Sequence, residues 1–223
     1  IDAFLHEGKL DQGLALTREL LGKHGDDPLF GWQLEGRLGL VYLLMEDYAE
    51  SVPHLEAAIQ VQPSEPAFHR NLATALVRLG RKGRALTEFS EAVGLDPDND
   101  EFQLEYGQLL LEYRNFPKAR FHLEKAGRLC GGCLAVQRAL GHLELASGNP
   151  AHAIPLFRAV VQLEPSDSSR RDLVQAMQQA GEDSLVVHFL GNWPVAELQI
   201  DELHLLVNAE RRLGESSHAQ EFL

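Results

Sequence analysis

The chain has 223 residues, 44% hydrophobic and 24% charged, and its 20 Lys and Arg against 33 Asp and Glu give a formal net charge of −13. That acid surplus excludes nucleic acid as the main partner, because phosphate binding needs a basic stripe, and it speaks against an anionic membrane surface. No apolar run approaches the ~20 residues of a membrane span, so no membrane insertion is expected, and the 2 cysteines make no disulfide framework.

The chain opens at Ile1 with no signal-peptide pattern. A soluble protein is expected, with the compartment open and tipped towards the cytoplasm. In chain order, 1–7 reads as the remnant of a first helix, Gly8-Lys9-Leu10 as a turn, and Asp11 to about Lys23 as a second helix before Asp27-Pro28. From Trp32 the pattern becomes periodic. Leu38-Gly39-x-x-Tyr42 sits on a first helix, Glu46-Asp47-Tyr48 makes a turn, and Ser51-x-x-x-Leu55-x-x-Ala58 sits on a second helix that stops at Pro63. The next unit repeats this with Leu72-Ala73-x-x-Leu76, Gly80, Ala85-x-x-x-Phe89, Ala92 and Pro97. The third has Tyr106-Gly107-x-x-Leu110, Arg114-Asn115-Phe116, Ala119-x-x-x-Leu123 and Ala126. The fourth has Leu140-Gly141, Gly148-Asn149-Pro150, Ala153-x-x-x-Phe157 and Pro165.

The spacing is 34 residues: Pro63 to Pro97 is one period, Pro97 to Pro165 is two, and Gly131 holds the skipped slot. Two kinds of breaker in register mean stacked supersecondary units that share an elongated core. Apolar residues three and four apart mark the buried stripe of each helix. Gly39, Ala73, Gly107 and Gly141 share one slot, where a tiny side chain lets two helices approach, and Ala85, Ala119 and Ala153 serve the partner helix. A mid-helix glycine costs ~1 kcal/mol against alanine, so its recurrence there points to close packing. Beyond the fourth unit, 168–181 reads as a first helix and 182–190 as a second, cut short at Gly191-Asn192-Trp193-Pro194. A last helix from about Val195 to Leu213 leads to Gly214-Glu215 and Ala219-x-x-x-Leu223.

This pattern resembles the tetratricopeptide repeat (TPR) family. The family tryptophan slot holds Glu35, His69, Gln103 and Gln137 here. The resemblance implies an all-α fold, an α-solenoid of stacked antiparallel helix pairs wound as a right-handed superhelix. One array over 1–223 is expected, with a partial unit at 1–28, well-formed units at 32–65, 66–99, 100–133 and 134–167, and degenerate units at 168–194 and 195–223. Neither end carries a polar cap, so a piece of a longer protein or self-association through the ends is expected.

The resemblance also implies a protein-interaction scaffold rather than an enzyme, with first helices lining a groove for a peptide or partner domain. Its inner places fall on Gln33, Leu40, Arg70, Thr74, Glu101, Gln108, Arg138 and His142. The Lys/Asn/Arg set that clamps a C-terminal carboxylate in some members is absent: Gly36 and Leu40 stand where lysine and asparagine are needed.

Cys130-Gly131-Gly132-Cys133 replaces the link between units. Two thiols at that spacing make a small-residue turn, a disulfide or half a zinc site, and a thiol- or metal-dependent module is the alternative function. A third alternative is the targeting arm of a larger enzyme. Asp96-Pro97-Asp98-Asn99-Asp100 opens like a calcium loop but has Glu101 where glycine is required, so it reads as a repeat link. No nucleophile elbow, His-Glu-x-x-His or phosphate-cradling loop is present, and no cofactor is expected.

Overall fold

A computed structural model of the protein describes residues 1–193 and 197–214. The expectations for 194–196 and 215–223 lie outside them. Among the described residues there are α-helices and no strand. They are α1 (Asp2–His6), α2 (Leu10–His24), α3 (Gly31–Leu44), α4 (Tyr48–Val61), α5 (Pro66–Arg78), α6 (Lys82–Leu95), α7 (Asp100–Glu112), α8 (Phe116–Leu129), α9 (Leu134–Ala146), α10 (Pro150–Leu163), α11 (Asp167–Gln179), α12 (Asp183–Leu190) and α13 (Ile200–Leu213). The chain divides into two compact units, Ile1–Leu110 and Leu111–Leu223. In the first, α2 to α6 pack consecutively; in the second, α8 to α13 do the same.

The hairpins α3–α4, α5–α6, α7–α8 and α9–α10 are set by a backbone position that recurs every 34 residues. Glu46, Gly80, Arg114 and Gly148 have φ of 61°, 71°, 57° and 81°, the left-handed region that reverses the chain between paired helices. Glycine suits this slot; Glu46 and Arg114 occupy it at a steric cost.

The small-residue slot does what its recurrence predicts. A Cβ on Gly39 would lie 2.6 Å from Leu55 Cγ, and one on Gly141 would lie 2.6 Å from Phe157 Cε1. Ala73, Ala85, Ala119 and Ala153 are fully buried, each at 0% exposure. Close helix approach is therefore built on missing side-chain atoms, and large partners (Leu55, Phe157) fill the space.

The last helix starts later than the sequence pattern suggested. It begins at Ile200, where Gln199 and Glu202 form a reciprocal capping box, with Gln199 N donating to Glu202 Oε2 at 2.9 Å. Glu202 does more than cap. Its Oε1 accepts from Arg170 Nε at 2.7 Å, and both side chains are only 4% exposed. Arg170 also meets Asp167 at 3.0 Å and stacks over the Trp193 ring at 4.5 Å. Hydrogen bonding to Glu202 holds the Arg170 guanidinium above its ordinary pKa against the opposing effect of burial. Such a pair is worth little net stability but is expensive to break on one side.

Candidate functional site

The predicted groove residues fall on first helices of the two units, each described in turn. In the first unit they lie on α3, α5 and α7. Gln33 and Gln108 are exposed, Leu40 is half-buried, and the Glu101 side chain is 66% exposed. Gln33 also lines a cleft of about 400 Å³ with Leu20, Phe30, Leu34 and Arg37. Thr74 Oγ1 donates back to the Arg70 carbonyl at 3.0 Å, so this hydroxyl is turned onto its own helix.

Arg70 is not a free cation. Its Nε donates to Glu105 Oε2 at 2.7 Å, and Nη2 reaches Glu105 Oε1 and, at 3.3 Å, Glu101 Oε1. The hydrogen bond to Glu105 pushes the Arg70 pKa up, against its partial burial, with the charges of Glu105 and Glu101 adding to the rise. The guanidinium on one repeat thus clamps two carboxylates on the next. Sequence reading placed Arg70 and Glu101 on the face but missed the fork to Glu105; a spacing near one full period was the only signal.

In the second unit the same device recurs. Arg138 Nε donates to Asp172 Oδ2 at 2.7 Å, one period further along the chain. His142 Nε2 sits 3.6 Å from the same carboxylate, and its ring meets Phe157 edge-on at 5.1 Å. Burial pushes the His142 pKa down; Asp172 opposes this and Arg138 adds to it.

The slot where the family has tryptophan carries a structural task here. His69 Nε2 lies 2.9 Å from the Pro63 carbonyl, Gln103 Nε2 donates to the Pro97 carbonyl at 2.7 Å, and Gln137 Nε2 donates to the Gly132 carbonyl at 2.8 Å. In these three repeats a polar side chain ties the first helix to the link before it, while Glu35 in the same slot lies 2.7 Å from His54 Nδ1 on α4. Asn99, in the stretch that opens like a calcium loop, accepts from Phe102 N at 3.1 Å and so caps α7.

At the third link, Cys130 ends α8 and Cys133 precedes α9, and their sulfurs are joined as a disulfide. Gly131 and Gly132, with φ of 69° and 85°, fold the link so that the two Cα atoms stand 5.6 Å apart, within disulfide reach. Among the described residues no group of three or more His, Cys, Asp or Glu is placed to hold a metal ion, and no helix is long and apolar enough to cross a membrane.

Two overlapping stretches, 37–100 and 71–128, match the Tetratricopeptide repeat family. Together they span 37–128, which takes in the unit 66–99 whole and most of the units 32–65 and 100–133. Residues 37–128 are a run of tetratricopeptide repeats. A TPR protein of Parabacteroides merdae shares the fold with a TM-score of 0.72 at 16% identity, over 97% of this chain and 85% of that one. The TPR protein YrrB, whose structure is described as having an unusual peptide-binding site, aligns with a TM-score of 0.63 at 19% identity over 75% of this chain and 84% of that one. By sequence, the bovine (Bos taurus) BBSome complex member BBS4 is 39% identical over 79 residues, 35% of this chain. The matched stretch spans only 15% of that relative's length.

Proposed function

We propose that this chain is a protein-interaction scaffold that docks an extended or helical segment of a partner against its first-helix faces. The observation that carries this reading is the layout of α5 and α7. Arg70 is fixed between Glu105 and Glu101, while Glu101 and Gln108 stay exposed beside the half-buried Leu104. Polar groups already held in place over an apolar floor suit recognition of a segment carrying both apolar and polar side chains, because little ordering remains to be done on binding. The matched proteins support the same class of activity: BBS4 is named as a member of a complex, and YrrB as the bearer of a peptide-binding site. No catalytic role is proposed.

The test uses the tagged chain and the partner it retains from its native source. Glu101→Gln with Gln108→Arg changes the charge of the face, gives up the longer Arg70–Glu101 contact and leaves both hydrogen bonds from Arg70 to Glu105 in place. The expected result is a loss of affinity of about tenfold or more, the scale of losing one good polar contact at an interface. Glu91→Lys, on the exposed side of α6, is the control and leaves affinity unchanged. Equal retention by all three proteins would move the site off this face.

A further inference from the structure

The link between α8 and α9 is built differently from the others. After α4, α6 and α10 the chain leaves the helix through a residue whose backbone suits the proline that follows it. Gln62, Asp96 and Glu164 have φ of −126°, −130° and −135° with ψ of 77°, 78° and 76°, ahead of Pro63, Pro97 and Pro165. After α8, Cys130 has φ of −86° and ψ of 2°, and Gly131 stands in the proline slot. Gly131 and Gly132 then follow at φ of 69° and 85°.

This link therefore lacks the restraint that proline gives the other three. Two consecutive glycines are the least restrained backbone a chain offers. The covalent bond between Cys130 and Cys133 supplies the restraint in proline's place. A proline ring is permanent, whereas a disulfide can be opened and closed.

The turn also has a hydrogen-bonded frame that does not pass through the sulfurs. Cys130 N donates to the Ala126 carbonyl at 2.9 Å, Gly132 N to the Gly127 carbonyl at 2.8 Å, and Gln137 Nε2 to the Gly132 carbonyl at 2.8 Å. The bond from Gly132 to Gly127 is that of a Schellman turn at a helix end. With that frame in place, the two thiols of an opened pair stay within reach of each other.

The two sulfurs are not equivalent. Cys133 N, at the start of α9, donates to Cys130 Sγ at 3.1 Å. The same N–H is placed to hold a Cys130 thiolate when the bond is open, at the positive end of a 13-residue helix. Cys133 is the N-cap of α9, and its side chain makes no cap hydrogen bond. Both cysteines are half-buried, and the exposed Gly131 and Gly132 between them carry no side chains that would cover the sulfurs.

We propose that Cys130 and Cys133 form a reversible redox site that exchanges with low-molecular-weight thiols and disulfides of the glutathione type, and that its state sets how firmly α8 is joined to α9. The site is separate from the first-helix faces and does not rest on their docking role. In oxidation the Cys130 thiolate attacks one sulfur of the small disulfide. A new S–S bond forms, the old one breaks, and one small thiolate leaves. Cys133 gives its proton to solvent, attacks Cys130 Sγ and forms the Cys130–Cys133 bond, releasing the second small thiolate. Each released thiolate takes up a proton, so two electrons pass from the two protein thiols to the small disulfide. Two small thiols run the same steps backwards.

The experiment equilibrates the purified chain in glutathione buffers that run from fully oxidised to fully reduced, blocks free thiols with a maleimide and counts the labels by mass spectrometry. Cys130 and Cys133 are expected to titrate together, from no label to two. At pH 7 the remaining thiol of Cys133→Ser should be alkylated by iodoacetamide about threefold or more faster than that of Cys130→Ser. Hydrogen exchange of amides 130–137 should quicken by about tenfold or more on reduction, with α3 to α6 unchanged. The double change Cys130→Ser, Cys133→Ser should exchange at the reduced rate in every buffer. The titration uses the parent chain, so it carries the test if a variant misfolds. A pair that stays oxidised or stays reduced in all the glutathione buffers, equal alkylation of the two single-cysteine variants, or exchange at 130–137 that is indifferent to reduction would each overturn the proposal.

Discussion

Glu46 is where a single residue departs from what its repeat position asks for. Its φ of 61° matches that of Gly80 and Gly148 in the same slot, yet it is an exposed glutamate in the left-handed region. A non-glycine residue there costs roughly 1–2 kcal/mol, offset in part by the extra freedom glycine has in the unfolded chain. Glu46→Gly is therefore expected to stabilise the protein by about 0.5–1 kcal/mol in urea unfolding. A loss of stability would mean the Glu46 side chain makes a contribution that its exposure does not suggest. Arg114 is the contrasting case. It has the same backbone conformation, but its guanidinium lies over the Phe116 ring at 5.7 Å, so Arg114→Gly gives up a contact as well as strain.

Between elements, the polar pairs matter because they join neighbouring helices. Glu144 on α9 accepts from Arg120 on α8 at 2.6 Å and from Asn149 Nδ2 at 3.3 Å, and it is 10% exposed. The Arg120 hydrogen bond holds its carboxyl below the usual range, against a rise from burial. The folded-state pKa is thus depressed. The stability it contributes is fully present above the unfolded value of about 4.3 and is lost as pH falls through the folded value. Glu144→Gln should make the melting temperature less sensitive to acid below about pH 4.3. An unchanged acid profile would show that the α8–α9 contact does not depend on this charge.

Much of this level was legible in the sequence. The turns and links marked the helix pairs from α3 to α10, and the ranges 168–181 and 182–190 fall within two residues of α11 and α12, because proline and the left-handed turn slot end helices for local reasons. The start of α13 was misplaced because its cap depends on Glu202 reaching back to Gln199. The forks from Arg70 to Glu105 and from Arg138 to Asp172 were not legible, since each joins residues about one period apart and exists only once repeats are stacked. The pairing of Cys130 with Cys133 was one of several readings that spacing left open; in the structure two left-handed glycines bring their Cα atoms to 5.6 Å.

For the molecule as a whole, repetition explains both the uniformity of the architecture and the places where function is to be sought. The small-residue slot recurs because stacking demands it, and the turn slot keeps one backbone geometry with different residues in it. The first-helix faces vary from repeat to repeat: Leu40, Thr74, Gln108 and His142 occupy one equivalent position. Variation on a fixed frame is how an array of like units reads an unlike partner. The most direct measurement is site-specific photo-crosslinking with the retained partner, with the crosslinker placed in turn at Gln33, Gln108 and, on the exposed side of α6, Glu91. Crosslinks from Gln33 and Gln108 and none from Glu91 are predicted. Crosslinks from Glu91 alone would contradict the assignment of the first-helix faces as the binding surface.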